Sequence, residues 1–427
     1  MTSVRVAVTK SSPVVIRPSE SEPAATAAPP DDTVALSSFD RFMPPVPVTA
    51  LLVFDCPIHE PSETIKRALA RALAHYRPLA GRLDGRGGIS CTGEGVTFVG
   101  ASAGCTLEEA MAALQLMDLA VRYPGELCRD TDPLLLVQVT EFACGGFVVG
   151  VTWNHVAADG VGMAQFLQAV GELARGVSPP SVVPFRHWDG SLPSSAAVPA
   201  QAPAIEQRCL ARQDITVPWS LISRIKAGGF GGGGEPCTVF EAVAAALWRC
   251  RTRAALSDDL QSPAPLIFPC NVRGHVGARA GYYGNCLAVQ LVPATSCAVA
   301  SSSVGDLVRL IRRAKEKVPD LLSNSGGGGG NVDAGGGEAE DPAALWYGAF
   351  AVTSWRNLGF ESADFGGGTP ARVVWHAEWA TVPGCAVCPS CRAGRDDDGV
   401  KVSSLCVKPE HADAFLRELA RMAASAE

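Results

Sequence analysis

Two spacings of apolar residues run along this chain, and each change from one to the other marks an element. Val48 to Asp55 is almost wholly apolar, as a buried strand requires. From Ser62 the pattern turns helical, with Ile65, Leu69 and Leu73 on one stripe, and Pro78 cannot continue that helix. Val4 to Lys10 and Val14 to Arg17 read as an opening strand, followed by a Pro-, Ala- and Asp-rich surface loop over residues 20–34. Ile89 to Cys91 and Val96 to Val99 read as a short strand pair. Leu134 to Thr140 and Phe147 to Trp153 are β-rich runs around Cys144-Gly145-Gly146, which predicts a hairpin whose second strand runs into His155. After Gly160, residues Met163, Phe166, Leu167, Val170 and Leu173 have helical spacing, with Gly176 placed to cap the helix.

Further on, Thr238 to Arg249 predicts a helix and Leu266 to Val272 a strand. Strands follow near Leu287 to Val292, Ala349 to Ser354 and Arg372 to Trp375, and a last helix spans Glu410 to Ala423. At 427 residues the chain is too long for one ordinary core, so two domains are expected. The Pro-, Ser- and Ala-rich stretch 177–205 reads as the linker, dividing an N-terminal domain over 1–176 from a C-terminal one over 206–427. Two glycine-rich stretches, Gly228 to Gly234 and Ser325 to Gly337, read as surface loops. The first follows no strand and the second lacks a Gly-Lys-Ser/Thr ending, so neither predicts a phosphate cradle.

Composition narrows the function. A net charge of -7 leaves no basic stripe to displace phosphate counterions, so no nucleic-acid partner is expected, although a local Arg or Lys pocket remains open to an acidic small-molecule substrate. The opening residues are too short an apolar run for a signal peptide, and no run of about 18 apolar residues exists, so no membrane span is expected. The fifteen cysteines are then expected as reduced thiols in a cytoplasmic protein. Cys385, Cys388 and Cys391 have a spacing that can ligate zinc or an iron–sulfur cluster, with Cys406 or His376 as a fourth ligand. Without a second pair, a cysteine-rich loop between strands is the better account, and no metal is expected.

The residues best placed for chemistry lie in Asn154-His155-Val156-Ala157-Ala158-Asp159-Gly160. An imidazole with an ordinary pKa of about 6.5, held at a rigid strand end, can accept a proton near neutrality. A lone histidine is more often one satisfied in a core, so His155 gains its meaning from the rest of the chain.

Five blocks recur in order. They are Tyr76-Arg77-Pro78-Leu79-Ala80-Gly81-Arg82-Leu83, then His155 to Gly160, Asn271-Val272-Arg273, Tyr282-Tyr283-Gly284-Asn285, and Thr353-Ser354-Trp355 ahead of Asp364-Phe365-Gly366-Gly367-Gly368. In these the chain resembles the plant BAHD acyl-CoA-dependent acyltransferases along nearly its whole length. The resemblance implies an α/β fold of two chloramphenicol-acetyltransferase-like domains, each a mixed sheet flanked by helices, with a channel between them. It implies an acyl-CoA co-substrate, no permanently bound cofactor, a small-molecule amine or alcohol acceptor, and a monomer. By resemblance His155 is the general base, while Thr353 and Trp355 face the oxyanion. Asp159 and Gly160 are structural, Asp159 pairing with Arg273, and Asp364 is structural too. One departure is plain: Gly367 stands where the family has Trp, which predicts a local rearrangement.

The stretches Val8 to Val15 and Ile58 to Ile65 resemble a grass-type group using benzoyl- or hydroxycinnamoyl-CoA, and favour amine acceptors over shikimate-type alcohols. A peptide-synthetase condensation domain would share the His-x3-Asp-Gly block but usually carries a second His where this chain has Asn154. A non-catalytic acyl-CoA-binding member is the rival from another class.

Overall fold

The apolar run of the first third is the strand Pro47–Phe54, and it lies inside a seven-stranded mixed sheet. The structure is a computed structural model describing residues 7–20, 33–112, 116–186, 210–228, 236–256, 260–323, 347–376, 382–391 and 398–425. The chain divides into two units. One combines Met1–Leu192, Val276–Cys286 and Arg356–Glu378; the other combines Pro193–His275, Leu287–Trp355 and Trp379–Glu427.

In the first unit the strands run Val8–Lys10, Val96–Ala103, Leu135–Phe142, Phe147–Asn154, Pro47–Phe54 and Arg372–His376, with Val14–Ile16 also on Val96–Ala103. The predicted hairpin is present, Leu135 facing Trp153 and Glu141 facing Phe147. All eight residues of Phe147–Asn154 are buried, because the strand is central and covered on both faces. The helices Pro61–His75 and Gly160–Ala174 pack on each other; Leu69, Leu73, Phe166 and Leu167 are buried at their apolar stripes.

Two expectations differ from this arrangement. Gly88–Ser90 and Val96–Ala103 are not partners. The former joins Thr33–Ala35 and Arg82–Leu83 in a small three-stranded sheet, while the latter pairs in parallel with Leu135–Phe142. Alternation sets which face of a strand is buried, not which strand lies beside it. The division into contiguous halves also differs. Arg372–His376 pairs antiparallel with Pro47–Phe54, so a strand from late in the chain covers what would otherwise be an open edge of the first sheet. Of the expected linker, residues 177–186 belong to the first unit, where Phe185 bridges to Tyr282; residues 187–205 lie outside the described residues. So do Gly229 to Gly234 and the stretch from Ser325 to Gly337.

The second unit has a six-stranded mixed sheet in the order Ala211–Pro218, Gly399–Val407, Gly384–Val387, Phe350–Ser354, Leu266–Asn271 and Leu287–Val292. Val239–Ala255 is its central helix, longer than predicted, and packs on Val304–Glu316 and Ala412–Ala424. Inside it Arg251 is fully buried. Its guanidinium donates to the carbonyls of Cys406, Gly348 and Tyr347, which replaces the water it has lost, though burial still lowers its pKa.

The helix begins in a capping box: Thr238 Oγ1 accepts from the Glu241 N–H, and the Glu241 carboxylate accepts from the Thr238 N–H at 2.9 Å. Glu241 also meets Lys315 at 2.8 Å and Arg312 at 3.2 Å. Burial works to raise its pKa, and the Lys315, Thr238 and Arg312 contacts more than offset this, leaving it below its ordinary value. Glu241→Gln is therefore expected to lower stability at pH 7 by about 1–3 kcal/mol. A carboxylate depressed on folding contributes fully above its unfolded pKa of about 4.3 and loses that contribution as pH falls through the folded value. Urea denaturation should accordingly show the gap between the two proteins narrowing below about pH 4. A gap that is constant from pH 7 to 3 would contradict this.

Candidate active site

Strand Phe147–Asn154 ends at the residue before His155, and the turn that follows is held from several sides. The His155 N–H donates to the Val46 carbonyl at 3.0 Å, the Val156 N–H to the Asn154 side chain at 3.1 Å, and the buried Trp153 indole to the Ala158 carbonyl at 2.9 Å. Asp159 closes the turn as N-cap of helix Gly160–Ala174. One of its carboxylate oxygens accepts from the Gly162 N–H, the other from the Cys286 N–H, each at 3.0 Å.

The imidazole itself meets Asn285, with His155 Nδ1 3.1 Å from Asn285 Oδ1. The amide's orientation follows from its other neighbours. Asn285 Nδ2 lies 3.0 Å from Asp40 Oδ1, 2.9 Å from the His155 carbonyl and 3.2 Å from the Val156 carbonyl, and all three can only accept. The nitrogen must therefore face them, and the carbonyl oxygen must face the ring. An acceptor opposite Nδ1 stabilises the tautomer protonated there, which leaves the lone pair on Nε2. That is the arrangement a proton-accepting histidine needs.

Behind Asn285 stands a buried charge. The Asp40 carboxylate takes five donors. Oδ1 accepts from the Asn285 N–H at 2.9 Å and from Nδ2; Oδ2 accepts from the Ser37 N–H at 2.9 Å, the Ser37 hydroxyl at 2.7 Å and Arg186 Nη1 at 2.9 Å. The side chains of Asp40 and Arg186 are 0% and 4% exposed, so little water competes. Burial opposes the Arg186 charge, but Asp40 and the neighbouring tyrosines raise its pKa overall. The Tyr282 hydroxyl donates to Ser37 Oγ at 3.3 Å, and the Tyr283 ring packs 4.9 Å from that of Tyr76. Tyr76 in turn packs on Phe166 and accepts from Gln165 at 3.1 Å.

Of the residues singled out in the sequence, His155, Asp159, Gly160 and Asp364 lie in the first unit; Arg273, Thr353 and Trp355 lie in the second. Thr353 is half-buried on strand Phe350–Ser354, beside Ala386, and the buried Trp355 follows it, its N–H on the Val387 carbonyl at 2.8 Å. Arg273 follows strand Leu266–Asn271, its N–H on the Asn271 side chain at 3.0 Å. Asp364 caps a turn, one oxygen accepting from the Gly366 and Gly368 N–H groups at 2.8 and 2.9 Å, while Arg175 lies 3.5 Å from the other. At Gly367 a Cβ would sit 2.9 Å from Ile58 Cγ2 and 3.0 Å from the Cys56 carbonyl. The segment after Pro47–Phe54 thus closes on the position the family fills with Trp. Cys385 and Cys388 are buried thiols, and among the described residues no group of His, Cys, Asp or Glu is placed to hold a metal.

Asn285, Asp40, Ser37 and Arg186 were not singled out. Asn285 did stand in a recurring block, and Ser37-Ser38-Phe39-Asp40 has the spacing of a helix-capping box. Arg186 has no sequence signal, because nothing local distinguishes an arginine that will be buried.

The chain matches the Transferase family over residues 6–421. It is 43% identical to Acyl transferase 15 of Oryza sativa subsp. japonica, covering 98% of this chain and 99% of that protein. It is 34% identical to the myricetin 3-O-glucosyl 1,2-rhamnoside 6'-O-caffeoyltransferase AT2 of Crocosmia x crocosmiiflora, over 96% and 98%. Its fold is similar to that of vinorine synthase, with a TM-score of 0.72 at 19% identity over 97% of this chain and 98% of that one. It is also similar to F. graminearum TRI101 complexed with coenzyme A and T-2 mycotoxin, with a TM-score of 0.69 at 16% identity over 89% and 96%. The expected fold of two mixed α/β domains is the one these structures share.

Gly162 sets the closest approach in the first unit: a Cβ there would lie 1.9 Å from the Tyr283 carbonyl oxygen. Backbone cannot move aside as a flexible side chain can, so Gly162→Ala should cost about 1–3 kcal/mol or more. Thermal unfolding of the variant checks this; an unchanged melting temperature would show that the Tyr283 segment yields freely.

Proposed function

The chain belongs to the Transferase family, the BAHD acyl-CoA-dependent acyltransferases, and on that premise we propose that it moves an aromatic acyl group, benzoyl or hydroxycinnamoyl, from coenzyme A to an amine or alcohol. It is an acyltransferase; the donor, the acceptor and the residue roles are our reading. A caffeoyltransferase among its relatives supports the hydroxycinnamoyl donor.

The observation that carries the chemistry is the Asn285 carbonyl oxygen 3.1 Å from His155 Nδ1, which leaves Nε2 as the basic atom. A neutral hydroxyl is a poor nucleophile until its proton is being removed, and an attacking amine must lose a proton before the product is stable. In our reading Nε2 takes that proton as the acceptor's oxygen or nitrogen bonds to the thioester carbonyl carbon. The carbon–sulfur bond then breaks, and the imidazolium returns the proton to the leaving thiolate, so acyl product and free coenzyme A leave with His155 regenerated. No acyl-enzyme is needed, and the Gly-x-Ser-x-Gly match at Gly100 to Gly104 is no nucleophile elbow, because its exposed Ser102 lies within strand Val96–Ala103 and not on a strand-to-helix turn. Thr353 and Trp355 are assigned the support of the oxyanion through hydroxyl and indole N–H donors, and Asp159, Gly160, Arg273 and Asp364 structural roles.

Purified protein incubated with benzoyl-CoA, hydroxycinnamoyl-CoAs and aliphatic acyl-CoAs, each against panels of amines and alcohols, should give aromatic esters or amides by mass spectrometry. Products from aliphatic donors alone would remove the aromatic part of the reading. His155→Ala should slow the release of free thiol by about 10²–10⁴-fold. Release at the wild-type rate would show that His155 is not the base.

A further inference from the structure

The ring of His155 is oriented by an amide, and the amide is oriented by a charge. We propose that Asp40, paired with the buried Arg186, is a positioning residue that locks the Asn285 side chain and through it the Nδ1–H tautomer of His155. The proposal rests on the reading of His155 as general base.

An asparagine side chain can turn over by rotating half a turn, exchanging its oxygen and nitrogen at little steric cost. Turned over, Asn285 would offer its NH2 to His155 Nδ1 and favour the proton on Nε2, where it blocks the basic lone pair. Three acceptors oppose that state, at 3.0 Å from Asp40, 2.9 Å from the His155 carbonyl and 3.2 Å from the Val156 carbonyl. Two of these are neutral carbonyls. The third is an anion with no exposed side-chain surface, so its repulsion of the turned amide oxygen is poorly screened. The same Asp40 oxygen accepts the Asn285 backbone N–H at 2.9 Å, which fixes both ends of the residue to one atom.

Arg186 is the cation that faces the Asp40 carboxylate. Its Nη1 is 2.9 Å from Asp40 Oδ2, on the side away from Asn285, and its guanidinium carbon lies 5.9 Å from the Tyr283 ring centroid. Among the described residues, Arg186 Nε and Nη2 have no hydrogen-bond partner. Asp40 is thus the main anchor of a buried cation, and breaking the pair by removing one partner would leave the other without its counter-charge. Among the described residues no hydrogen bond or ion pair joins Asp40 to the His155 ring, so the proposed action passes through Asn285.

The test combines kinetics with the protonation of the ring. In wild-type protein labelled with 15N-histidine, the His155 signals, assigned by their loss in His155→Gln, should show Nδ1 protonated and Nε2 free at neutral pH; the opposite pattern overturns the proposal. Asp40→Asn keeps the shape and removes the charge. It should lower kcat by about 10- to 100-fold, part of what a placed base supplies. KM for acyl-CoA should change little, and the His155 nitrogen shifts should move toward the other tautomer. A folded Asp40→Asn protein with wild-type kcat and wild-type ring shifts overturns the proposal, even if its melting temperature falls, because that is the outcome of a purely structural role. If Asp40→Asn does not fold, the double variant Asp40→Asn with Arg186→Met, which leaves no buried charge, is read the same way. If that also fails to fold, the wild-type ring shifts decide. His155→Ala separates the two readings: if it retains thiol release, the base assignment falls, while the nitrogen shifts still judge the lock.

Discussion

A carboxylate without water has to find every hydrogen bond inside the protein, and much of the first unit is arranged around that demand of Asp40. Its five donors come from three places far apart in the chain: Ser37 beside it, Arg186 after the helix Gly160–Ala174, and Asn285 from the returning segment Val276–Cys286. Removing any of them would leave a buried charge short of a partner, which is costly in a way that losing an apolar contact is not. The returning segment is therefore pinned by polar chemistry. Its position then decides where Tyr283 packs and which group meets the His155 ring.

Asp159 repeats the logic on a smaller scale. It satisfies the Gly162 N–H at the start of its own helix and the Cys286 N–H of the same returning segment. The two acidic residues thus hold adjacent backbone positions, Asn285 and Cys286, of the returning segment. Gly162 completes the fit, since its missing side chain is what allows the Tyr283 carbonyl to come so near the helix. The site depends on these close approaches because an imidazole must be held within a few tenths of an ångström to keep one tautomer against one amide.

Several elements were legible because the information that forms them is local. The helix Gly160–Ala174 came from the spacing of Met163, Phe166, Leu167, Val170 and Leu173, and the hairpin before it from two apolar runs around a glycine pair. Others were missed for equally physical reasons. Gly399–Val407 is buried on almost every residue but carries Lys401, Ser403 and Ser404, whose polarity hides its place inside the sheet, between Ala211–Pro218 and Gly384–Val387. Val304–Glu316 has Leu307, Val308 and Ile311 on its inner face, but its many charges read as surface until the partner helix is known. Gly367 was visible as a departure, while the close approach of Cys56 and Ile58 to it was not.

His155 was legible in the sequence, as a histidine at the end of an apolar run ahead of Asp-Gly, once the other blocks along the chain gave it its meaning. So were the glycines of that stretch and the order of the five blocks. Tertiary structure alone decided what surrounds the imidazole. Asn285, Asp40 and Arg186 are separated from His155 by 130, 115 and 31 positions, and their meeting depends on a segment that crosses back into the first unit. Periodicity reports which face of an element is buried, and nothing in it encodes which distant polar group will share that burial. The histidine was therefore readable from the chain, and the amide that faces its Nδ1 was set only by folding.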